Sequence, residues 1–281
     1  MRVLITGASG QVGVEAMRAF ADHDVAATDR TTLDLGSRDS VLQAVTSFGP
    51  DVIIHAGAMT NVDGCELFPD DAYRINSLGT RHVADAARRT GAYVCYLSTD
   101  YVFPGDAAGP YREWDDTGPI SVYGRSKLGG EREIDPAWSV VRTSWVCGAT
   151  GANFVKTMLR LAADGTKEVK VVDDQLGNPT FAADLVSMIR RLSVDRRPGT
   201  FHVTNQGAAT WFEFARSIFA AAGETPERVK PITTAQLEPA RPAPRPRNSV
   251  LDNAALRLSD IPLLPHHQEP LERLVRQLVA S

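Results

Sequence analysis

Cysteine is scarce in this 281-residue chain: only Cys65, Cys95 and Cys147 occur, and none stands at CxxC spacing. Three thiols cannot all pair within one chain, so a reducing, cytoplasmic setting is expected. Long apolar runs are missing as well. No stretch approaches the roughly 20 residues that a bilayer span requires. The opening residues, MRVLITGASGQVG, lack the charged segment, long apolar segment and cleavage site of a secretory signal, so no signal peptide and no membrane association are expected. Nor is there an excess of positive charge: 30 Lys and Arg stand against 34 Asp and Glu, for a net charge of −4. That balance gives no electrostatic case for nucleic acid or an anionic membrane surface. Internal repeats are absent too. What remains is an ordinary globular composition, 43% apolar and 23% charged, long enough for one large α/β domain or a large domain with a smaller partner.

Short apolar runs recur, and helical patterns alternate with them. RVLIT at 2–6, the stretch 25–28, DVIIH at 51–55, YVCYL at 93–97 and SVVR at 139–142 read as strands. Continuous apolar runs of this length suit strands buried on both faces, hence parallel ones. Helices are expected over 11–22, through 78–89 and over 123–133. This alternation predicts a doubly wound parallel α/β sheet of the Rossmann type. Beyond residue 145 the pattern loosens, with strands expected at 169–172 and 200–203 and helices at 181–192, 211–222 and 266–278. The segment 231–247, containing PARPAPRPR, is too rich in proline for a regular element and is expected to be an irregular loop walling a cleft. Residues 1–145, with contributions from about 181–205, are therefore expected to form a dinucleotide-binding domain. Residues 146–281 are expected to form a smaller C-terminal α/β region that mainly binds substrate.

The first strand runs into Gly7-Ala8-Ser9-Gly10-Gln11-Val12-Gly13, and a helix follows. Gly7 permits the tight turn, Gly10 lets backbone approach a pyrophosphate, and Gly13 allows close packing of helix on strand. The helix N-terminus then offers free N–H groups and partial positive charge to phosphates. The second strand ends at Asp29-Arg30. A carboxylate here suits the ribose hydroxyls of NAD, whereas a guanidinium suits the 2′-phosphate of NADP, so the cofactor is NADPH or NADH with the choice open. Ala56-Gly57-Ala58, after the third strand, are small enough to leave room for a ligand.

The fourth strand ends in Ser98-Thr99-Asp100-Tyr101, and Tyr123-Gly-Arg-Ser-Lys127 comes later. Four-residue spacing on a helix puts Tyr123 and Lys127 on one face, one turn apart. A free phenol titrates near about pH 10, too high for efficient proton transfer at neutral pH, and a neighbouring ammonium lowers it. Thr99 can hold a carbonyl oxygen. Together these groups suit protonation of that oxygen as hydride arrives from a nicotinamide.

These motifs resemble those of the extended short-chain dehydrogenase/reductases, and within them the dTDP-4-dehydrorhamnose reductase family. The resemblance rests on the loop at 7–13, PDVIIHAGAMTNVD at 50–63, STDYVFPG at 98–105, YGRSKLGGE at 123–131, RTSWV at 142–146, NFVKTMLRLA at 153–162, DQLGNPT at 174–180, TWFEFA at 210–215 and RPRNSVLD at 245–252. It spans nearly the whole chain. It implies NAD(P)H-dependent reduction of the 4-keto group of a nucleotide-linked 6-deoxysugar, with a dTDP-linked substrate as the partner. Tyr123 would then be the proton donor. Lys127 would lower its pKa and bind the nicotinamide ribose, and Thr99 would orient the sugar carbonyl. Asp100 and Trp145 would touch the sugar nucleotide, and Arg245 its diphosphate. Ser9, Gly10, Gln11, Val12, Asp29, Asp34, Leu35, Ala56, Gly57 and Ala58 would line the dinucleotide.

The chain departs from the family pattern at His55, Gly57 and Cys147, where asparagine, alanine and tyrosine are usual. Cys147 lies just past Trp145 and is expected to bear on the sugar pocket. Glu15 matches a position linked to Mg²⁺ at a subunit interface in some family members; one carboxylate does not make a metal site, so Mg²⁺ and a homodimer stay open. Three alternatives remain: another nucleotide-sugar 4-ketoreductase, an epimerase or dehydratase on the same scaffold, and a non-catalytic regulatory subunit. Tyr101 stands where dehydratases carry glutamate, and the retained Thr99, Tyr123 and Lys127 speak against a regulatory role.

Overall fold

In the computed structural model, which describes residues 1–165 and 167–279, twelve short strands are found among the described residues. They are β1 Arg2–Thr6, β2 Asp24–Thr28, β3 Val52–His55, β4 Tyr93–Thr99, β5 Ser139–Thr143, β6 Val146–Cys147, β7 Val169–Val172, β8 Leu176–Gly177, β9 Thr180–Phe181, β10 Gly199–His202, β11 Ala209–Thr210 and β12 Val229–Ile232. The α-helices are α1 Gln11–Ala19, α2 Arg38–Phe48, α3 Val62–Leu67, α4 Pro69–Tyr73, α5 Gly79–Thr90, α6 Val122–Glu131, α7 Phe154–Ala163, α8 Ala182–Val194, α9 Trp211–Ala221, α10 Ala254–Leu258 and α11 Gln268–Val279. None is long and apolar enough to cross a membrane among the described residues.

Six strands form one all-parallel sheet in the order β10-β5-β4-β3-β1-β2. After β2 the chain crosses to the other side of β1, so the order reverses between β1 and β3. Such a switch point opens a crevice at the carboxyl ends of the strands. The register sets its rim. Thr6 pairs with both Thr28 and His55, His55 with Tyr96, and Thr99 with Thr143. The loops that follow these strands therefore emerge along one edge. Every residue of β3 and β5 is buried, as the continuous apolar runs require for strands covered on both faces. Val12 and Ala16 of α1, Val41 and Val45 of α2, Val83 and Ala87 of α5, and Leu185 and Ile189 of α8 pack into this core.

A second core forms around α7, α9, α11 and the parallel pair β7–β12. Val155, Met158, Phe214, Ile218, Phe219, Leu271 and Val275 fill it. The chain beyond residue 145 thus divides, since α8, β10 and α10 send side chains into the first core.

One expectation needs correction, and two stretches hold helices beyond those expected. The proline-rich loop begins later than residue 231, because Pro231 lies in β12 opposite Val171. It is tolerated there because β12 has a single partner in a two-stranded sheet, so a missing donor can face outward. The helix placed at 78–89 is preceded by α3, α4 and a π-helical turn at Arg74–Leu78. The helix α2 was not anticipated, although Ser37 caps its first turn by accepting from the Ser40 N–H, and Gly49 ends it in the left-handed region at φ 60°.

Candidate active site

The glycine loop is built by exclusion of side chains. Gly7 has φ +71°, and a Cβ on it would lie 2.8 Å from the Gly57 backbone. A Cβ on Gly13 would run into the Gly7 carbonyl oxygen and the Ala8 Cα. Helix α1 therefore starts directly against β1. Gly10 is its N-cap and offers no side-chain acceptor, so the first N–H groups of α1 stay available to an anion.

A buried relay of hydrogen bonds fixes the neighbouring loop. The Gly57 N–H donates to Thr6 Oγ1 at 3.0 Å, Thr6 Oγ1 lies 2.7 Å from His55 Nδ1, and His55 Nε2 lies 3.1 Å from Thr80 Oγ1. The Thr80 hydroxyl donates to the Asn76 carbonyl at 2.7 Å. That hydroxyl hydrogen is spent, so Thr80 must accept from His55 Nε2–H, and Nδ1 accepts from Thr6. His55 is thus a neutral imidazole. Burial, reinforced by the charge on Lys127, holds its pKa down to about 3. A Cβ at Gly57 would stand 2.9 Å from Leu35 Cδ1 and 3.0 Å from Thr6 Oγ1.

Asp29 and Arg30 both line the cleft but are engaged differently. Asp29 Oδ1 accepts from the Thr31 N–H at 2.9 Å and the Thr31 hydroxyl at 2.6 Å. Arg30 is exposed and makes no ion pair or hydrogen bond among the described residues. Asp34 accepts from the Gly36 N–H at 2.9 Å, and Leu35 packs beneath Gly57.

Across the cleft, Thr99 Oγ1 donates to Asp100 Oδ1 at 2.9 Å and accepts from the Tyr101 N–H at 3.2 Å. The other carboxylate oxygen of Asp100 is buried without a partner. Burial pushes the Asp100 pKa up to about 7, partly offset by the Ser249 and Thr99 hydroxyls. Tyr123 stands edge-on to Tyr101, with ring centroids 5.9 Å apart. Lys127 is buried, donates from Nζ to the Leu97 carbonyl at 2.7 Å, and sits 4.1 Å above the Tyr96 ring. Burial brings its pKa down to about 7, opposed by Glu131. Glu131 itself pairs with Arg142 at 2.7 Å and accepts from Ser98 at 2.5 Å.

The expected lowering of the phenol by Lys127 is not found. Desolvation pushes Tyr123 well above its ordinary value, and the Thr99 hydroxyl is the group that eases it. The physical reason is that the Lys127 ammonium is directed at a backbone carbonyl and an aromatic face.

One cleft of about 570 Å³ gathers Gly7, Ser9, Gly10, Gln11, Val12, Gly13, Asp29, Arg30, Asp34, Leu35, Ala56, Gly57, Ala58, Thr99, Asp100, Tyr123, Lys127 and Trp145. That volume suits a small-molecule site. Thr60, Thr143, Ser144 and Trp211 also line it, and sequence reading missed them. The tryptophan in TWFEFA was the signal for Trp211. Arg245 is not in the lining. Its two terminal nitrogens bond the Asp63 carboxylate at 2.5 and 2.9 Å, and this pairing holds the Asp63 pKa down to about 2. Cys147 is buried in the second core, with Sγ donating to the Trp145 carbonyl at 3.4 Å. It therefore lies behind the cleft wall rather than in the pocket. Glu15 pairs with Arg18 at 2.7 Å, and no cluster of three or more potential metal-ligating side chains occurs among the described residues.

A family model described as the RmlD substrate binding domain matches residues 1–280. The chain is 42% identical to a dTDP-4-dehydrorhamnose reductase of Streptomyces griseus, over 96% of this chain and 91% of that protein. It is 41% identical to a probable dTDP-4,6-dihydroxy-2-methyloxan-3-one 4-ketoreductase of Streptomyces antibioticus, over 89% and 86%. The crystal structure of dTDP-4-dehydrorhamnose reductase from Bacillus anthracis in complex with NADP superposes with a TM-score of 0.93 at 40% identity, covering 98% of this chain and 99% of that one. The chain belongs to the dTDP-4-dehydrorhamnose reductase family.

Proposed function

We propose that this protein uses NADPH to reduce the 4-keto group of a dTDP-linked 6-deoxysugar, converting dTDP-4-dehydrorhamnose to dTDP-rhamnose. The observation that carries the reading is the convergence of Thr99, Tyr123 and Lys127 with the glycine loop in one cleft. The loop fits a dinucleotide because Gly7 and Gly13, where a Cβ would strike neighbouring backbone, let α1 start directly against β1, and because the α1 N-terminus lacks a side-chain cap. When bound there, the nicotinamide supplies hydride to the sugar carbonyl carbon.

Thr99 would orient the sugar carbonyl oxygen by hydrogen bonding. Tyr123 would give that oxygen a proton as negative charge develops on it. A phenol kept protonated by desolvation is the state that reduction needs. Lys127, one turn along α6 and tied to the Leu97 carbonyl, would bind the nicotinamide ribose. Asp100 lines the cleft beside Thr99 and would touch the sugar nucleotide. Arg245 stands outside the cleft lining, pre-oriented by Asp63, and would meet the nucleotide diphosphate from there. Residues 1–145 with about 181–205 would hold the cofactor, and the remainder of 146–281 the sugar nucleotide. Free Arg30 favours the 2′-phosphate of NADPH.

Loss of reduced-nicotinamide absorbance with dTDP-4-dehydrorhamnose tests the reading. Oxidation of one NADPH per sugar supports a reductase and excludes an epimerase, which regenerates its cofactor. No oxidation with any nucleotide 4-ketosugar refutes it. Tyr123→Phe is expected to lower kcat by about 10²- to 10⁴-fold while the NADPH Kd stays unchanged; an unchanged kcat removes Tyr123 from the chemistry. The Streptomyces antibioticus relative makes other dTDP-linked ketosugars the second group to assay.

A further inference from the structure

Trp145 has φ +47°, a left-handed backbone that bulky side chains rarely adopt. Strain of this kind persists only where the surroundings hold it. The surroundings here are specific. The Trp145 indole lies flat on Trp211, with ring centroids 3.5 Å apart and planes within 10°. Phe154 backs Trp211 at 4.6 Å. Gly177 makes room at the indole edge, since a Cβ there would stand 2.6 Å from Trp145 Cε2 and 2.9 Å from its Nε1.

Both holders sit on one mount. Strand β8, which contains Gly177, pairs antiparallel with β11, and Trp211 follows β11 directly. Thr210 and Glu213 close a capping box at the start of α9, and the Thr210 hydroxyl donates to Asp173 at 2.6 Å. Trp211 is the first residue of that helix, so its backbone is fixed. Trp145, by contrast, follows the last residues of β5. The stack therefore joins the second core to the rim of the main sheet, and both indoles line the cleft.

We propose that Trp211 is a positioning residue for the sugar ring: it holds the Trp145 indole as a flat apolar wall of the cleft and so selects a 6-deoxy sugar. This rests on the reductase reading. An indole face offers no hydrogen-bond partner. The C6 methyl of a deoxysugar loses nothing against it, whereas a C6 hydroxymethyl would bury a hydroxyl unpaired. Apolar walls reject an added hydroxyl by roughly 100-fold at most, which sets the scale of the selection.

The test compares wild type, W211L and W211F, all saturated with NADPH, on dTDP-4-dehydrorhamnose and on a nucleotide 4-ketohexose that keeps its C6 hydroxyl. Leucine fills space without a flat face, whereas phenylalanine keeps one. W211L is expected to raise KM for the deoxysugar about 10-fold, and to cut the preference for it by a similar factor, with the NADPH Kd unchanged. W211F is expected to restore most of both. A role in packing alone would be read as a change in thermal midpoint, without separating KM from kcat. Wild-type KM and preference in folded W211L would overturn the proposal. Failure of the wild type to reduce either sugar would instead overturn the reductase reading.

Discussion

Replacing Asp100 by asparagine turns a buried electrostatic cost into a measurable pH dependence. In the unfolded chain this carboxyl ionises near 3.8, whereas in the fold burial keeps it protonated up to about 7. Between those values the folded state binds one proton more than the unfolded state. Stability contributed by this group is therefore present at low pH and is lost as pH rises through that window. Each pH unit is worth about 1.4 kcal/mol, so some three units amount to about 4 kcal/mol. At about 2 °C per kcal/mol for a chain of this size, the loss is roughly 8 °C in thermal midpoint. The asparagine amide cannot ionise. It leaves an N–H in a site built for an oxygen, at a cost of about 1–3 kcal/mol, but that cost is the same at every pH. Lys127, which titrates near 7, does so in both proteins. The assay is thermal unfolding of D100N and wild type without nucleotide sugar, from pH 4.5 to 8. The midpoint difference, variant minus wild type, is expected to rise steadily with pH. A flat difference would refute the protonated carboxyl.

Two further substitutions follow from the cofactor half of the cleft. Gly13→Ala forces a methyl group into the Gly7 carbonyl and Ala8 Cα. It is expected to cost about 1–3 kcal/mol of stability by overpacking and to weaken NADPH binding, read by denaturant unfolding and by titration; wild-type values in both would show that α1 does not pack as described. Arg30→Ala removes an exposed guanidinium with no internal partner among the described residues. The NADPH Kd is expected to rise about 10- to 100-fold with the NADH Kd unchanged, and equal effects on the two cofactors would exclude a 2′-phosphate contact.

Much of the site was legible because it lies where strands end. Thr6, Thr28, His55 and Thr99 close four apolar runs, and the parallel register aligns those ends. Finding the strands was therefore enough to find the loops at 7–13, 29–35, 56–58 and 99–101. Helix α2 went unread: Ser37 and Gly49 mark its ends, but its buried stripe is only Val41 and Val45, too thin to stand out. Partners distant in the chain could not be read. Asp63 and Arg245 are 182 positions apart, and nothing in either neighbourhood announces that one carboxylate will hold both terminal nitrogens. The stack of Trp145 on Trp211 is of the same kind, because it depends on how β8 and β11 pair.

Protonation states were the least legible feature, and they bear on the direction of the chemistry. Helical spacing places an ammonium beside a phenol and suggests that one lowers the pKa of the other. Burial changes that inference. It raises Tyr123 and lowers Lys127, because each charged form loses more hydration than its neighbours return. A site in this state holds a proton on the phenol and gives it up only when charge develops on a bound oxygen. It is poised as an acid, which carbonyl reduction uses, and it would have to lose that proton before serving the reverse oxidation. The raised Asp100 acts in the same sense, since a neutral carboxyl beside Thr99 adds no negative charge to repel the oxyanion that reduction creates.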